Sequence, residues 1–140
     1  LFPLKNYLVM IVRTKSLLFF LMAILSIAKI ANAAETDGFS HFIGAANFSN
    51  FKRSQDSDGN TVLLSPEIES PIEWDQLVLS WNAAAEPGTF MTVEARAIQP
   101  HHTTKFFSWG RWSPDDKAFL RGSVLDQKDP DGDVRADTLA

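Results

Sequence analysis

The sequence predicts an all-β fold, an antiparallel β-sandwich of jelly-roll type, and three observations predict it. Residues Asp75 to Ile98 carry two runs of alternating apolar residues, Leu77/Leu79/Trp81 and Met91/Val93/Ala95/Ala97, on either side of a Pro87-Gly88 break. Beyond Thr61, short β-prone stretches recur between Gly, Pro, Asp and Asn clusters at intervals of about 8 to 15 residues. No helix-period pattern stands out beyond an apolar run near the N-terminus. The first observation predicts a β-hairpin at the centre of a sheet, with Thr92, Glu94 and Arg96 on its polar face and Trp81 in the core.

Taken in order, the chain opens on an upstream extension, residues 1–9, before the start candidate Met10. Residues 10–33 read as a signal peptide that forms a helix ahead of the sandwich. Arg13 and Lys15 give a basic start, Leu17 to Ala28 an apolar run, and Ala31-Asn32-Ala33 a cleavage site after Ala33. The apolar run falls short of the roughly 20 residues that span a bilayer. The chain is therefore expected to be secreted or periplasmic and free of the membrane after cleavage. The β-domain is assigned to 39–140. Phe39 to Lys52 reads as one or two short strands, Gln55 to Asn60 as a turn around Asp58-Gly59, and Thr61 to Leu64 as a strand stopped by Ser65-Pro66. Pro66 to Trp74 is an extended connection between two prolines. Thr104 to Trp112 is a strand, Ser113 to Asp116 a turn, Phe119 to Leu125 a strand, and Asp126 to Asp133 an acidic turn. Val134 to Leu139 starts as a strand and breaks off, so the sandwich is expected to be incomplete at its C-terminus.

Charge and composition narrow the function classes. The 140 residues carry a formal charge of −4, but all 17 acids follow Ala34 and four of the 13 bases precede it. Nine bases against 17 acids give the body a charge of −8. Such a surface repels phosphate backbones, so no nucleic-acid partner is expected. The chain has no cysteine, which excludes disulfides, thiolate metal sites and a cysteine nucleophile within it.

The runs Val78-Leu-Ser-Trp81-Asn82-Ala83, Pro87-Gly-Thr89 and Val93-Glu94-Ala95-Arg96 come in that order. They are followed by Phe107-Ser-Trp109-Gly110-Arg-Trp112-Ser113, Ser123-Val-Leu-Asp-Gln127, Asp131-Gly132 and Thr138-Leu139. Together, over roughly 45–140, they resemble the N-terminal region of secreted bacterial proteins of the C39-like, papain-like peptidase family. The resemblance implies a non-catalytic β-rich accessory module with a downstream cysteine peptidase domain as its partner in the full-length protein. The catalytic domain is absent from this chain, and no catalytic residue carries over, since the Cys nucleophile has no counterpart here. The alternative reading is a free-standing secreted carbohydrate- or surface-binding β-sandwich.

Asp126, Asp129, Asp131 and Asp133 supply oxygen ligands suited to calcium, but the order of an EF-hand loop is missing and a solvated Asp-Gly turn accounts for them. His101 and His102 are adjacent and point apart on an extended chain, so no metal or cofactor is expected. No GxSxG elbow is present. Trp74, Trp81, Trp109 and Trp112 make a high aromatic load, and rings on an outer face would suit a peptide or glycan ligand. Trp109 and Trp112 have opposite parity on a regular strand, so either one of them points outward or the strand bulges at Gly110. The candidate binding residues are therefore Trp109, Trp112, Glu94 and Arg96, the last two also reading as an ion pair on the outer face.

Overall fold

The computed structural model describes residues 6–15, 41–45, 47–135 and 138–139. Among them the fold is an antiparallel, strongly curled half-barrel sheet with no helix. The strands are β1 (Asn6–Thr14), β2 (Lys52–Gln55), β3 (Thr61–Leu64), β4 (Ile68–Ser70), β5 (Leu77–Val78), β6 (Met91–Gln99), β7 (His102–Thr103), β8 (Phe107–Trp112), β9 (Val134–Arg135) and β10 (Thr138–Leu139). The main sheet runs β2-β3-β1-β6-β7, with β4 also on β1 and β8 on β6; a small sheet runs β5-β10-β9.

The strand β1 is the centre of this arrangement. Along one edge, Tyr7 to Thr14 oppose Ile98 to Met91 of β6 without interruption. Along the other, Ile11 to Thr14 oppose Leu64 to Thr61 of β3, and Asn6 to Leu8 oppose Ser70 to Ile68 of β4. The Ser65-Pro66 break lies between those two stretches. There Met10 N–H donates to Ser65 Oγ (2.8 Å) and Ser65 N–H donates to the Met10 carbonyl (2.9 Å), so pairing passes through the corner although Pro66 has no donor.

Alternation along β6 sets the core. Met91, Val93, Ala95 and Ala97 are buried, and the residues between them are half-buried. Ala95, Phe107, Trp109 and Leu8 form one cluster, joined by Met10, Ile68, Leu77, Leu79 and Val134. Val12, Met91 and Val93 form a second, joined by Leu63, Leu79, Ala83 and Trp112. Leu77 and Val134 come from the small sheet, which thus covers part of the large sheet's apolar face.

Several sequence expectations hold. Thr61–Leu64 is β3 as read, Met91 to Ala97 buries the expected face, and Asp56 closes the turn before β3. Its carboxylate accepts from the Asp58 and Asn60 N–H groups (3.0 and 2.9 Å) while Gly59 takes φ +77°. Asp115 closes the turn after β8 in the same way.

Others are corrected. The hairpin Leu77–Trp81 with Met91–Ala97 does not form: both edges of β6 are taken, by β1 and by β7 and β8, while β5 is two residues long and pairs with β10. Trp81 consequently lies outside any strand and is 36% exposed. Of Phe39 to Lys52 only Lys52 is in a strand, as the first residue of β2, among the described residues; Phe51 N–H donates to the Phe48 carbonyl (3.0 Å) in a turn that stacks the two rings edge-on. Phe119 to Leu125 forms no strand either; its backbone meets β8 through the Arg111–Gly122 bridge, and Leu120, Val124 and Leu125 are left exposed. The terminal segment folds back, with β10 between β9 and β5, where the sequence suggests a strand that breaks off. Asn6–Val9, read as an extension without a part in the fold, belongs to the central strand, as do Met10–Thr14. The helix read over 10–33 is thus replaced by strand over Met10–Thr14, and the run Leu17 to Ala28 and the cleavage site after Ala33 lie outside the described residues.

These burials separate two aromatic truncations. Phe107, with no exposed surface, loses about 3–5 kcal/mol of stability on Phe107→Ala; Trp81→Ala costs under about 1.5 kcal/mol. Urea unfolding of the two variants checks the order, and equal midpoint shifts would contradict this core.

Candidate functional site

The sequence points to the outer face of β6 and to β8 around Gly110, and that region is built on a bulge. Thr92 opposes Arg111 and Glu94 opposes Ser108, so Trp109 and Gly110 together face Val93. Gly110 holds φ +86°, and a Cβ there would lie 2.2 Å from the Gly122 carbonyl oxygen. Only glycine fits both the backbone angle and this close approach. The bulge reverses the parity of the strand, which is how Trp109 enters the first core cluster at 6% exposure while Trp112 packs on the second. Of the two solutions open to the sequence, an outward Trp or a bulge, the structure takes the bulge.

The free edge of β8 is closed by parts that are not strands. The Gln127 side chain accepts from Ser108 N–H and donates to the Ser108 carbonyl, both at 2.7 Å, as a neighbouring backbone would. Arg111 and Gly122 exchange backbone bonds farther along. Between these two attachments lies a shallow groove of about 310 Å³, bordered by Ser108, Arg111, Leu120, Arg121 and Val124. No sequence pattern announces Gln127, because a side-chain amide can close an edge from any loop that reaches it.

The four candidate residues do not converge on that groove. Trp109 is inside, and the Arg121 guanidinium sits over the Trp112 ring at 5.8 Å while donating to the Ser113 carbonyl (2.8 Å) and pairing with Asp116 (3.0 Å). Glu94 and Arg96 do not pair with each other, contrary to the sequence reading. Glu94 binds Arg13 of β1, and Arg96 stacks on Phe106 at 4.8 Å with its Nε buried and without a hydrogen-bond partner. The reason is register: Glu94 opposes Ile11, so Arg13, two residues along β1 on the same face, lies diagonally across from it. Arg111 similarly covers Phe90 (4.8 Å). The rings of Trp112, Phe106 and Phe90 thus carry cations.

The acidic turn is engaged in holding the fold. Asp129 pairs with Lys105 (2.5 Å) and accepts from the N–H groups of Asp131 and Gly132, and Asp131 meets His102 Nε2 at 2.7 Å. The hydrogen bond from Lys105 holds the Asp129 carboxyl below its ordinary pKa of 3.8. Among the described residues no group of three or more His, Asp or Glu side chains is arranged to hold a metal ion, and no helix is long and apolar enough to cross a membrane.

A curled antiparallel sheet with Trp109 buried, Trp112 covered by Arg121 and no thiol in the chain defines an all-β module that lacks a papain-type nucleophile of its own. The sequence match is more specific: the model of the Peptidase C39 N-terminal domain covers residues 45–140, and the chain belongs to that family. No curated protein and no solved structure matches the chain. The matched span holds β2 to β10 and leaves out β1.

Two outcomes follow from this geometry. Gly110→Ala is expected to lower stability by about 2 kcal/mol or more and to remove hydrogen-exchange protection at the Arg111 amide; wild-type protection there would contradict the bulge. Because the folded Asp129 pKa is depressed, its ion pair contributes fully above pH 3.8 and is lost as pH falls through the folded value. A carboxyl NMR titration is expected to place Asp129 below 3.8, with Lys105→Ala raising it, and a midpoint indifferent to Lys105 would refute the pairing.

Proposed function

We propose that this chain is a non-catalytic accessory module of a secreted bacterial C39-like cysteine peptidase, exported by a signal peptide over residues 10–33 and working beside a separate catalytic domain. The observation that carries the reading is membership of the Peptidase C39 N-terminal domain family in a chain without cysteine. Papain-type hydrolysis needs a thiolate activated by a neighbouring histidine. The chain therefore acts on peptide bonds only through a partner that brings the thiolate, and its own contribution is binding. Leu77 and Val134 of the small sheet, seated on the main sheet's core, support reading the half-barrel as part of a jelly-roll-like sandwich. The burial of Trp109 and the covering of Trp112 by Arg121 favour a polypeptide ligand over a glycan, since a sugar platform needs open ring faces.

A family peptidase assayed with and without its N-terminal domain tests this. Removal is expected to lower kcat/KM for a long polypeptide about tenfold, through lost remote binding, and to leave a short fluorogenic peptide unaffected. The 140-residue chain alone is expected to hydrolyse neither, and iodoacetamide-insensitive hydrolysis by it would overturn the reading.

A further inference from the structure

The strands β3 and β4 on one side and β6 on the other are each antiparallel to β1, and the sheet order connects them only through it. Without β1 the main sheet parts into β2-β3, continued along the chain by the then unpaired β4, and β6-β7-β8, facing each other across a gap one strand wide, roughly 9–10 Å between the flanking backbones. Yet β1 lies outside the span that defines the family, 45–140, and ahead of the cleavage site at Ala33. We infer that the family domain is a strand acceptor: its slot between Thr61–Ser70 and Met91–Ile98 takes an extended segment of a separate substrate polypeptide, and β1 fills that slot only until export removes it. This rests on the export reading proposed above.

The seated strand shows what the slot accepts. Two rows of backbone N–H and C=O groups face the gap, and only another extended polypeptide satisfies both. Leu8, Met10 and Val12 point into the two core clusters at alternate positions, and Val9 is buried on the opposite face. Arg13 meets Glu94 near the strand's C-terminal end. The preferred ligand is therefore a segment with apolar residues at three alternate positions and a base just after the last of them, drawn in by a body of charge −8. The strand β1 is an imperfect occupant: Thr14 is 3% exposed and its Oγ1 is buried with no hydrogen-bond partner. A ligand with an apolar residue there avoids that cost.

The full chain, given a protease site within residues 16–40 and cut in place, provides the test. The probe is a fluorescein-labelled Asn6–Lys15 peptide followed by anisotropy. Uptake is expected to be saturable in the cut chain and at least about tenfold weaker in the uncut chain, where the tethered strand competes at high effective concentration. Arg13→Glu in the peptide should weaken uptake about fivefold, Glu94→Arg in the chain should restore it, and Thr14→Val should tighten it about fivefold or more. Equal uptake of a scrambled peptide, equal uptake by the uncut chain, or dimers formed by exchange of β1 between copies would each overturn the inference. N-terminal sequencing of the exported protein separates the two readings. A start at Ala34 supports vacating of the slot, whereas retention of Asn6–Thr14 overturns the export reading independently of what the peptide does.

Discussion

Backbone pairing along both edges of a single strand, Asn6–Thr14, is the constraint on which the sheet depends. A central strand satisfies donors and acceptors on two neighbours at once, and here the neighbours have no other link within the sheet. The core depends on the same strand, because Leu8 and Met10 belong to one cluster and Val12 to the other. Its outer face supplies Arg13, the counter-ion of Glu94. One segment thus contributes ladder bonds, apolar contacts on both clusters and the partner of a half-buried carboxylate.

The other half of the sheet is shaped by Gly110. A two-for-one bulge at a positive φ turns β8 so that Trp109 and Trp112 reach the same side, and the Gly122 carbonyl comes too close for any side chain at Gly110. Curling the sheet in this way exposes the far edge of β8. Gln127 and Gly122 close it with substitute backbone-like bonds, a common protection against edge-to-edge association. The same attachments leave a groove beside Arg111, walled by strand residues Thr92, Ser108 and Arg111 and the loop from Leu120 to Val124, with no aromatic side chain.

Family membership and geometry both describe a β-rich Peptidase C39 N-terminal domain. The chain has no thiol, and the carboxylates of Asp129, Glu94 and Asp116 are held by Lys105, Arg13 and Arg121. The proposed recognition through backbone pairing would suit a partner of a peptidase, since the extended conformation that adds to a sheet edge is also the one a peptide adopts when its amides are open to attack.

The sequence by itself determined what depends on local periodicity and local backbone geometry. The alternation Met91/Val93/Ala95/Ala97 named the buried face of β6, Asp58-Gly59 named a turn, the odd spacing of Trp109 and Trp112 left either an outward Trp or a bulge at Gly110, and the missing cysteine excluded a thiol nucleophile within this chain. The tertiary structure alone decided which strands lie side by side. Leu77/Leu79/Trp81 has the pattern of a β6 partner, but the longer, β-branched Tyr7 to Thr14 takes that edge, and Trp81 is left half outside. The same choice gave Glu94 to Arg13 and Arg96 to Phe106. Alternation tells each strand which way to face, but a ladder is a competition between distant segments for the same backbone groups, and its outcome is written in no single one of them.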